Sequence, residues 1–594
     1  MIGPHEETDA PAQTLRHGIA LHRAGALAEA SRLYEAVLER APDDLDALRL
    51  LGILLAQSGD TEHGAMFIAA AATRMPDTAT AETAFGDTLR RLDRQSDALA
   101  AFDRAIAADP QCAAAHAGRG LCLRGLGHLD AALEAHERAL ALDPANHAAG
   151  FGRGVVLQAL GRIAEAADAY RETLRHAPRD EALWTNLSLA LGALGRHADA
   201  LDAADAALAQ APHMIEALAA RAAALRALGD ATRALAALDR AIAIDPGRAT
   251  LHANRGNALR DLSRLADARD AYDRAVALDP GNADAHRLRA MCLLLAGDWV
   301  AGWPEWEWRK RATEASGARH ADRPAWTGAE DPAGRRIFLH WEQGFGDTIQ
   351  FCRYAPLLAA RGAHVTLAVQ GPLLRLASSL AAPRLDVIGG MREPTDGFDL
   401  HCPLMSLPLA LATTPRSVPP PAPLAPPPDL RAAWGARLGP ADGRPRIGLA
   451  WSGRPEHAND RNRSLAAAAL ATLLVRPARW ICTQPVLRPA DTDWLRADGR
   501  ISVFGPAFTD FADTAALIAN LDLVITVDTS VAHLAGSIGV PVWILLPRDP
   551  DWRWLTDGAD SPWYPSARLF RQNVAGDWQE PIARVAAALE ERFG

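Results

Sequence analysis

A chain of 594 residues is several times the usual length of one domain, so more than one hydrophobic core is expected. Its formal net charge of -10 excludes a general binder of phosphate backbones, which needs a basic face, and nucleic acid is therefore not an expected partner. The six cysteines, Cys112, Cys122, Cys292, Cys352, Cys402 and Cys482, are too scattered for structural zinc or a redox pair. Reduced thiols in a cytoplasm fit them best.

The first residues, MIGPHEETDAPAQ, carry acids and proline where an export signal needs a basic start and an apolar run. Residues 1–10 read as a flexible tail. No later apolar run reaches the roughly eighteen residues of a membrane span, so a soluble, cytoplasmic protein without a membrane span is expected.

From residue 11 the chain repeats itself. Proline recurs every 34 residues, at Pro42, Pro76, Pro110, Pro144, Pro178, Pro212, Pro246 and Pro280. Twenty-four residues before these prolines stand Gly18, Gly52, Gly86, Gly120, Gly154, Ser188, Ala222 and Gly256. Twelve before them stand Ala30, Gly64, Ala98, Ala132, Ala166, Ala200, Ala234 and Ala268. Two antiparallel helices approach closely only where neither presents a bulky side chain, which explains both columns of small residues. Tyr34, Phe102, Tyr170 and Tyr272 fill the wider gap, and each proline ends a second helix because it lacks the amide donor. The segment resembles the tetratricopeptide-repeat (TPR) family, with an α-solenoid expected over residues 11–313: about eight repeats and a degenerate ninth. Such a groove binds extended peptide or a protein surface, or serves as an oligomerisation surface. After Leu294 the pattern fails and Trp299, Trp303, Trp306 and Trp308 crowd together, either as a sugar platform or as a buried seam to the next domain.

From Arg335 short apolar runs alternate with helical segments, the mark of a parallel sheet. Strands are expected at 337–340, 364–369 and 385–388, with one helix opening at about Thr348 and ending on Gly362. These belong to a short first lobe, residues 335–414. Residues 415–430, rich in proline, read as an extended spacer. Strands at 446–451, 479–484, 501–505, 521–528 and 540–547 then build a second doubly wound lobe, residues 431–594.

Ligands in open α/β sheets sit beyond the carboxyl ends of the strands, and three loops there are informative. In HWEQGFGDTIQ, Gly344 and Gly346 let the backbone approach a ligand, and Asp347 is either a base for an acceptor hydroxyl or a helix N-cap. In WSGRPEHANDRNRS, Ser452, Arg454, Arg461, Arg463 and Ser464 suit a departing phosphate, or form a solvated surface loop. In ITVDTSVAHLAGSIGVP, Asp528, Thr529 and Ser530 open a helix whose free amides suit an anion, with His533 one turn in; N-capping explains them singly.

Together these three loops resemble the ADP-heptose-transferase-related branch of GT-B glycosyltransferases. The resemblance implies an α/β GT-B-like domain of two Rossmann-like lobes behind the solenoid. It assigns Asp347 as base, and Asp528, Thr529, Ser530 and His533, with Arg461 and Arg463, to the donor's phosphate end. Gly344, Gly346 and Ser452 complete the donor-binding set. The short first lobe implies that the solenoid recognises the acceptor, a protein Ser or Thr hydroxyl. Fusions of this kind resemble bacterial flagellin-modifying transferases. Only Asn186 and Asn254 occupy the column where some protein-glycosylating relatives carry an asparagine ladder; Gly118, Gly152 and Ala220 stand there in other repeats. A nucleotide sugar is the expected substrate, with no cofactor and no metal, the Asp491 to Asp493 and Asp549 to Asp551 pairs reading as chance matches to a metal motif. Two alternatives stay open: transfer to lipopolysaccharide or a lipid-linked sugar, and a non-catalytic scaffold with an inactive GT-B domain.

Overall fold

The computed structural model describes residues 10–72, 78–312, 323–390, 393–395, 397–455 and 459–594. Of the expected tail, all but Ala10 lies outside the described residues. The chain forms two compact units, Met1–Pro246 and Gly247–Gly594.

The first unit is helical. Among the described residues its pairs run from Ala10–Arg23 with Leu27–Arg40 to Ile215–Ala227 with Ala231–Ile244. The second helices of most repeats stop two residues before the proline, as at Arg40, Ala108, Leu142 and Gln210, because the residue before proline is steered out of the helical region. The small-residue columns do what close packing requires. A Cβ on Gly18 would lie 2.8 Å from the Tyr34 ring, and one on Gly86 would lie 2.9 Å from the Phe102 ring. Where the first helix does carry a Cβ, the facing residue is no longer aromatic. Ser188 and Ala222 are matched, one repeat position for another, by Ala204 and Leu238, and Ser188 Oγ donates to Ala200 O at 2.7 Å. Ala222 with Leu238 fills about the same volume as a glycine with a tyrosine, whereas Ser188 with Ala204 fills less and closes its crossing with a hydrogen bond.

One repeat places a histidine in the aromatic position. His136 is wholly buried between Gly120 and Gly152, as Phe102 is between Gly86 and Gly118, and neither of its ring nitrogens has a hydrogen-bond partner. Burial pushes it down to about 4. The unfolded chain takes up a proton below about 6.5 that this folded histidine refuses until about 4, so stability is lost as pH falls through that window. His136→Phe is expected to stabilise the protein, by about 1 kcal/mol near neutrality through removal of unsatisfied polar atoms. At pH 5 it should add roughly 2 kcal/mol more. Thermal melts of both proteins at pH 7.5 and 5 check this; an unchanged or lower melting temperature at pH 5 would count against it.

The second unit begins with two further helix pairs, Ala249–Asp261 with Leu265–Leu278 and Ala283–Leu295 with Trp299–Trp306. Two parallel sheets follow. The first contains β1 (Arg336–His340), β2 (His364–Val369), β3 (Leu385–Gly389) and β4 (Leu400–Pro403) in the order β3-β2-β1-β4. The second contains β5 (Arg446–Ala450), β6 (Arg479–Cys482), β7 (Ile501–Ser502), β8 (Leu523–Val527), β9 (Val542–Leu546) and β10 (Ala567–Arg571) in the order β10-β9-β8-β5-β6-β7. The second order is the doubly wound dinucleotide-fold arrangement, and the first is its four-strand counterpart. In both, strand order reverses at the first strand: between β1 and β4, and between β5 and β8. The chain is thus an α-solenoid followed by an α/β domain of two Rossmann-like lobes. Among the described residues no helix is long and apolar enough to cross a membrane.

Several elements differ from expectation. The helix expected from Thr348 to Gly362 is two helices, Phe345–Phe351 and Tyr354–Ala360, because Pro356 cannot supply the amide that the carbonyl of Cys352 would need. β7 is two residues long rather than five, and β4 and β10 were not expected. The proline-rich stretch is extended through Pro427 but is not a loose spacer: Ala422 and Leu424 are buried, and Pro428–Leu438 is already helix. Of the two roles open to the tryptophans, a buried seam is the one observed. Trp299 stacks on Trp563 at 5.0 Å, Trp303 meets Trp552 edge-on at 5.4 Å, and Trp303 Nε1 donates to Thr413 O. Trp308 stands apart, stacked on His286 at 3.9 Å.

Candidate functional site

Both switch points lead into loops that meet. The loop after β1 carries Gly344, which precedes the Phe345–Phe351 helix, so Asp347 is the third residue of that helix rather than its N-cap. Its Oδ2 accepts from Gly344 N–H at 2.8 Å, closing the first turn. Its Oδ1 accepts from Arg553 Nη2 of the second lobe at 2.5 Å. Gly346 lies against the Ser530–Ser537 helix: a Cβ there would stand 2.9 Å from His533 Cδ2 and 3.6 Å from Ser530 Cα. Glycine at this position lets the two lobes touch.

The loop after β8 presents Asp528, then Thr529, whose Oγ1 caps the helix by accepting from Val531 N–H at 3.3 Å. Ser530 is the first helical residue and half-buried. His533 is buried, hydrogen-bonded through Nδ1 to Tyr564 Oη at 3.0 Å and stacked on Trp554. Burial and the nearby guanidiniums of Arg553, Arg353 and Arg463 hold its pKa well below the usual range, so it is a neutral ring. Asp528 is pushed the other way, to about 6, by burial and the Asp551 carboxylate, against the pull of Arg463 and Arg553.

The loop after β5 is tied down. Gln484 Oε1 accepts from Trp451 N–H, and its Nε2 donates to Ser452 Oγ at 3.0 Å. Arg463 is turned inward and donates through Nη1 to Asp528 O at 3.0 Å, joining the β5 loop to the β8 loop. Arg461, two residues earlier, is exposed. Arg454 reaches across to the first lobe, its guanidinium 5.0 Å from the Phe345 ring centroid. Glu456, His457 and Ala458 of this loop lie outside the described residues.

Sequence reading missed the segment after β9, residues 547–564. Arg553 is buried there with each guanidinium nitrogen bonded: Nε donates to Gln350 Oε1 at 2.6 Å, Nη1 to Asp551 Oδ1 at 2.8 Å and Nη2 to Asp347. Arg353, from the break between the two first-lobe helices, donates to Trp563 O and Pro419 O. The available signal was the DWRW run itself, an arginine between two tryptophans just beyond a strand. Asp549 pairs with Arg260 and Asp551 with Arg553, while Asp491 accepts from Trp451 Nε1 and Ala467 N–H. Asp493 is exposed beside Arg496. Burial pushes the thiols of Cys122 and Cys292 up to about 11 and those of Cys352 and Cys482 to about 12, which leaves them no thiolate character.

The first lobe's own switch point is occupied by protein. Arg309, next to the last solenoid helix, is buried there with Nη2 donating to Glu342 Oε2 and Ser406 Oγ, each at 2.8 Å. Two cavities of about 410 and 420 Å³ lie away from the loops described, one beside Trp299 and Thr414, the other beside Trp184 and Leu187 of the solenoid.

The family model that matches concerns the repeats. The tetratricopeptide-repeat family model matches residues 15–77, 83–147, 123–181, 151–215, 185–249 and 254–306, so the N-terminal region is built of these repeats. The chain is 27% identical over 340 residues to Protein FlbA of Caulobacter vibrioides, an alignment covering 51% of this chain and 54% of that one. It thus spans about half the length of the curated relative it matches. Among solved structures it is similar to the APC/C hetero-tetramer Cut9–Hcn1, at 20% identity and a TM-score of 0.36, covering 45% of this chain and 52% of that one. It is also similar to YrrB, described as a TPR protein with an unusual peptide-binding site, at 24% identity and a TM-score of 0.28, covering 31% of this chain and 95% of that one.

The shift at Asp528 has a measurable consequence. A carboxyl whose folded pKa is raised from 3.8 to about 6 destabilises the fold progressively as pH rises through that interval, and the penalty is complete above it. Asp528→Asn is expected to raise the melting temperature at pH 8 and to change it little at pH 4. A lower melting temperature at pH 8 than wild type would contradict this assignment.

Proposed function

We propose that the chain is a glycosyltransferase that moves a sugar from a nucleotide-activated donor to a protein Ser or Thr hydroxyl held by the TPR solenoid, with flagellin as the acceptor to test first. The observation that carries the reading is the Asp347–Arg553 pair: a carboxylate from the first turn of the helix after β1 meets a guanidinium from the opposite lobe, where the neighbouring Gly346 lies against Ser530. These groups are of opposite kinds and suit the two ends of a displacement. Asp347 takes the hydroxyl proton, the acceptor oxygen bonds to the anomeric carbon, and the carbon–phosphate oxygen bond breaks with its electron pair on the leaving phosphate. Arg553 and the positive end of the Ser530–Ser537 helix stabilise that negative charge. The reading needs no bound metal. A protein acceptor is supported by the repeats, which are protein-binding surfaces in general, and by Arg309 filling the first lobe's switch point, where an acceptor ligand would otherwise be sought.

A scaffold reading has one observation in its favour: both Asp347 oxygens already have protein partners. The lipid-directed reading differs only in the acceptor. Mass spectrometry of flagellins, total protein and lipids from cells with wild-type chain, no chain, or Asp347→Asn separates the three. The protein-modifying reading expects a glycan mass on protein that falls at least about a hundredfold in both altered strains. Glycan loss from lipid alone would favour the second reading, and Asp347→Asn cells indistinguishable from wild type the third.

A further inference from the structure

The bonding of Arg553 separates its partners into two kinds. Asp551 belongs to the same turn: its Oδ1 accepts from both Arg553 N–H and Arg553 Nη1, so this contact is local and stays with the loop. Asp347 belongs to the other lobe and reaches only the outer nitrogen, Nη2. At the carboxyl end of β8, Arg463 is a second cation, bonded to Asp528 O, and the positive charge of Arg553 is felt at the Asp528 carboxylate. Arg463 thus reaches the residue just before the Thr529 cap, and Arg553 meets Asp347, whose neighbour Gly346 lies against Ser530, the first residue of the Ser530–Ser537 helix. The positive end of that helix favours an anion. Such a position attracts a phosphate, and Asp347 is the anion there now. A diphosphate and the Asp347 carboxylate cannot share the same donors, because the like charges would repel in a partly desolvated crevice.

We infer that Arg553 is the receptor for the donor's diphosphate and that Asp347 occupies it as a stand-in, so that donor binding displaces Asp347 and frees its carboxylate for the acceptor hydroxyl. This rests on the glycosyltransferase reading and adds an order to it: the base becomes available only once the donor is seated. The exchange is non-covalent, with one ion pair broken and another made, while Gly344 N–H continues to hold Asp347 Oδ2 and keeps the carboxylate at the crevice.

The consequence is opposite to what loss of a merely structural ion pair would give. Asp347→Asn removes the competing charge, so the full-length variant is expected to bind a nucleoside diphosphate about tenfold more tightly than wild type, as for a receptor otherwise about nine-tenths self-occupied. Arg553→Gln should weaken binding at least about tenfold in either background. Calorimetric titration with ADP, UDP, GDP, CDP, dTDP and, as a base-free probe, pyrophosphate reads this out, with circular dichroism melts to establish that each variant is folded. If Arg553→Gln does not fold, the Asp347→Asn comparison decides alone. Tighter binding by Asp347→Asn, or binding by it where wild type has none, supports the proposal. Wild-type binding of a nucleotide with equal or weaker binding by Asp347→Asn overturns it and leaves the transferase reading standing. Failure of every probe to bind either protein overturns both.

Discussion

The ion pair between Asp347 and Arg553 is the constraint on which the arrangement of the α/β domain turns. It fixes a helix that starts beyond β1 against a loop that starts beyond β9, and it does so across the crevice between two sheets. Arg553 is in turn held from behind. Its guanidinium lies 4.3 Å from the Trp552 ring centroid, Trp552 packs on Trp303 and Trp306, and Trp563 packs on Trp299. The tryptophans of the last helix pair thus set where the central cation stands. A second set of ion pairs acts at a distance from it: Arg375 of the first lobe donates to Asp510 and Asp513 of the second, and Trp434 Nε1 donates to the same Asp513. Among the described residues, ion pairs thus join the lobes at two places.

How much of this was legible in the sequence depended on whether the signal was local. The repeats were readable because each rests on the same few contacts, restated every 34 residues at Gly18, Ala30 and Pro42 and their equivalents. Central strands β2, β5 and β8 were readable because burial on both faces makes a continuous apolar run. β10 was missed because it is an edge strand whose sequence, ARLFR, alternates apolar and basic residues. β4 was missed because LHCP buries a histidine whose ring is satisfied beside His340, a partner 61 residues away. The break before Tyr354 was visible in Pro356, but the helical spacing of its neighbours masked it.

The candidate site was legible in part for the same reason. Glycines, helix-opening hydroxyls and Asp347 stand in short motifs just beyond strands, and the fold brings the Gly346 loop against His533 and Ser530. The partner of Asp347 could not be read, since Arg553 is 206 residues further on and looks like any arginine until the tryptophans beside it are seen to be buried. Arg463 shows the converse. In sequence it is one of three arginines in a polar loop, yet it binds a backbone carbonyl while Arg461 faces solvent. Residue type announced a cationic loop; only packing decided which cation faces inward.

The exchange of bulk between Ser188 and Ala204, and between Ala222 and Leu238, bears on how such arrays diversify. A repeat of this chain cannot trade one helix with a neighbour, since Ser188 facing a tyrosine would collide and Gly154 facing an alanine would leave a hollow. The interchangeable piece is the whole hairpin. Duplication and deletion in units of 34 residues therefore preserve the crossing inside each hairpin, whereas recombination inside a hairpin does not, and only the contact to the next hairpin, such as Phe102 on Gly118, has to be remade at the new junction.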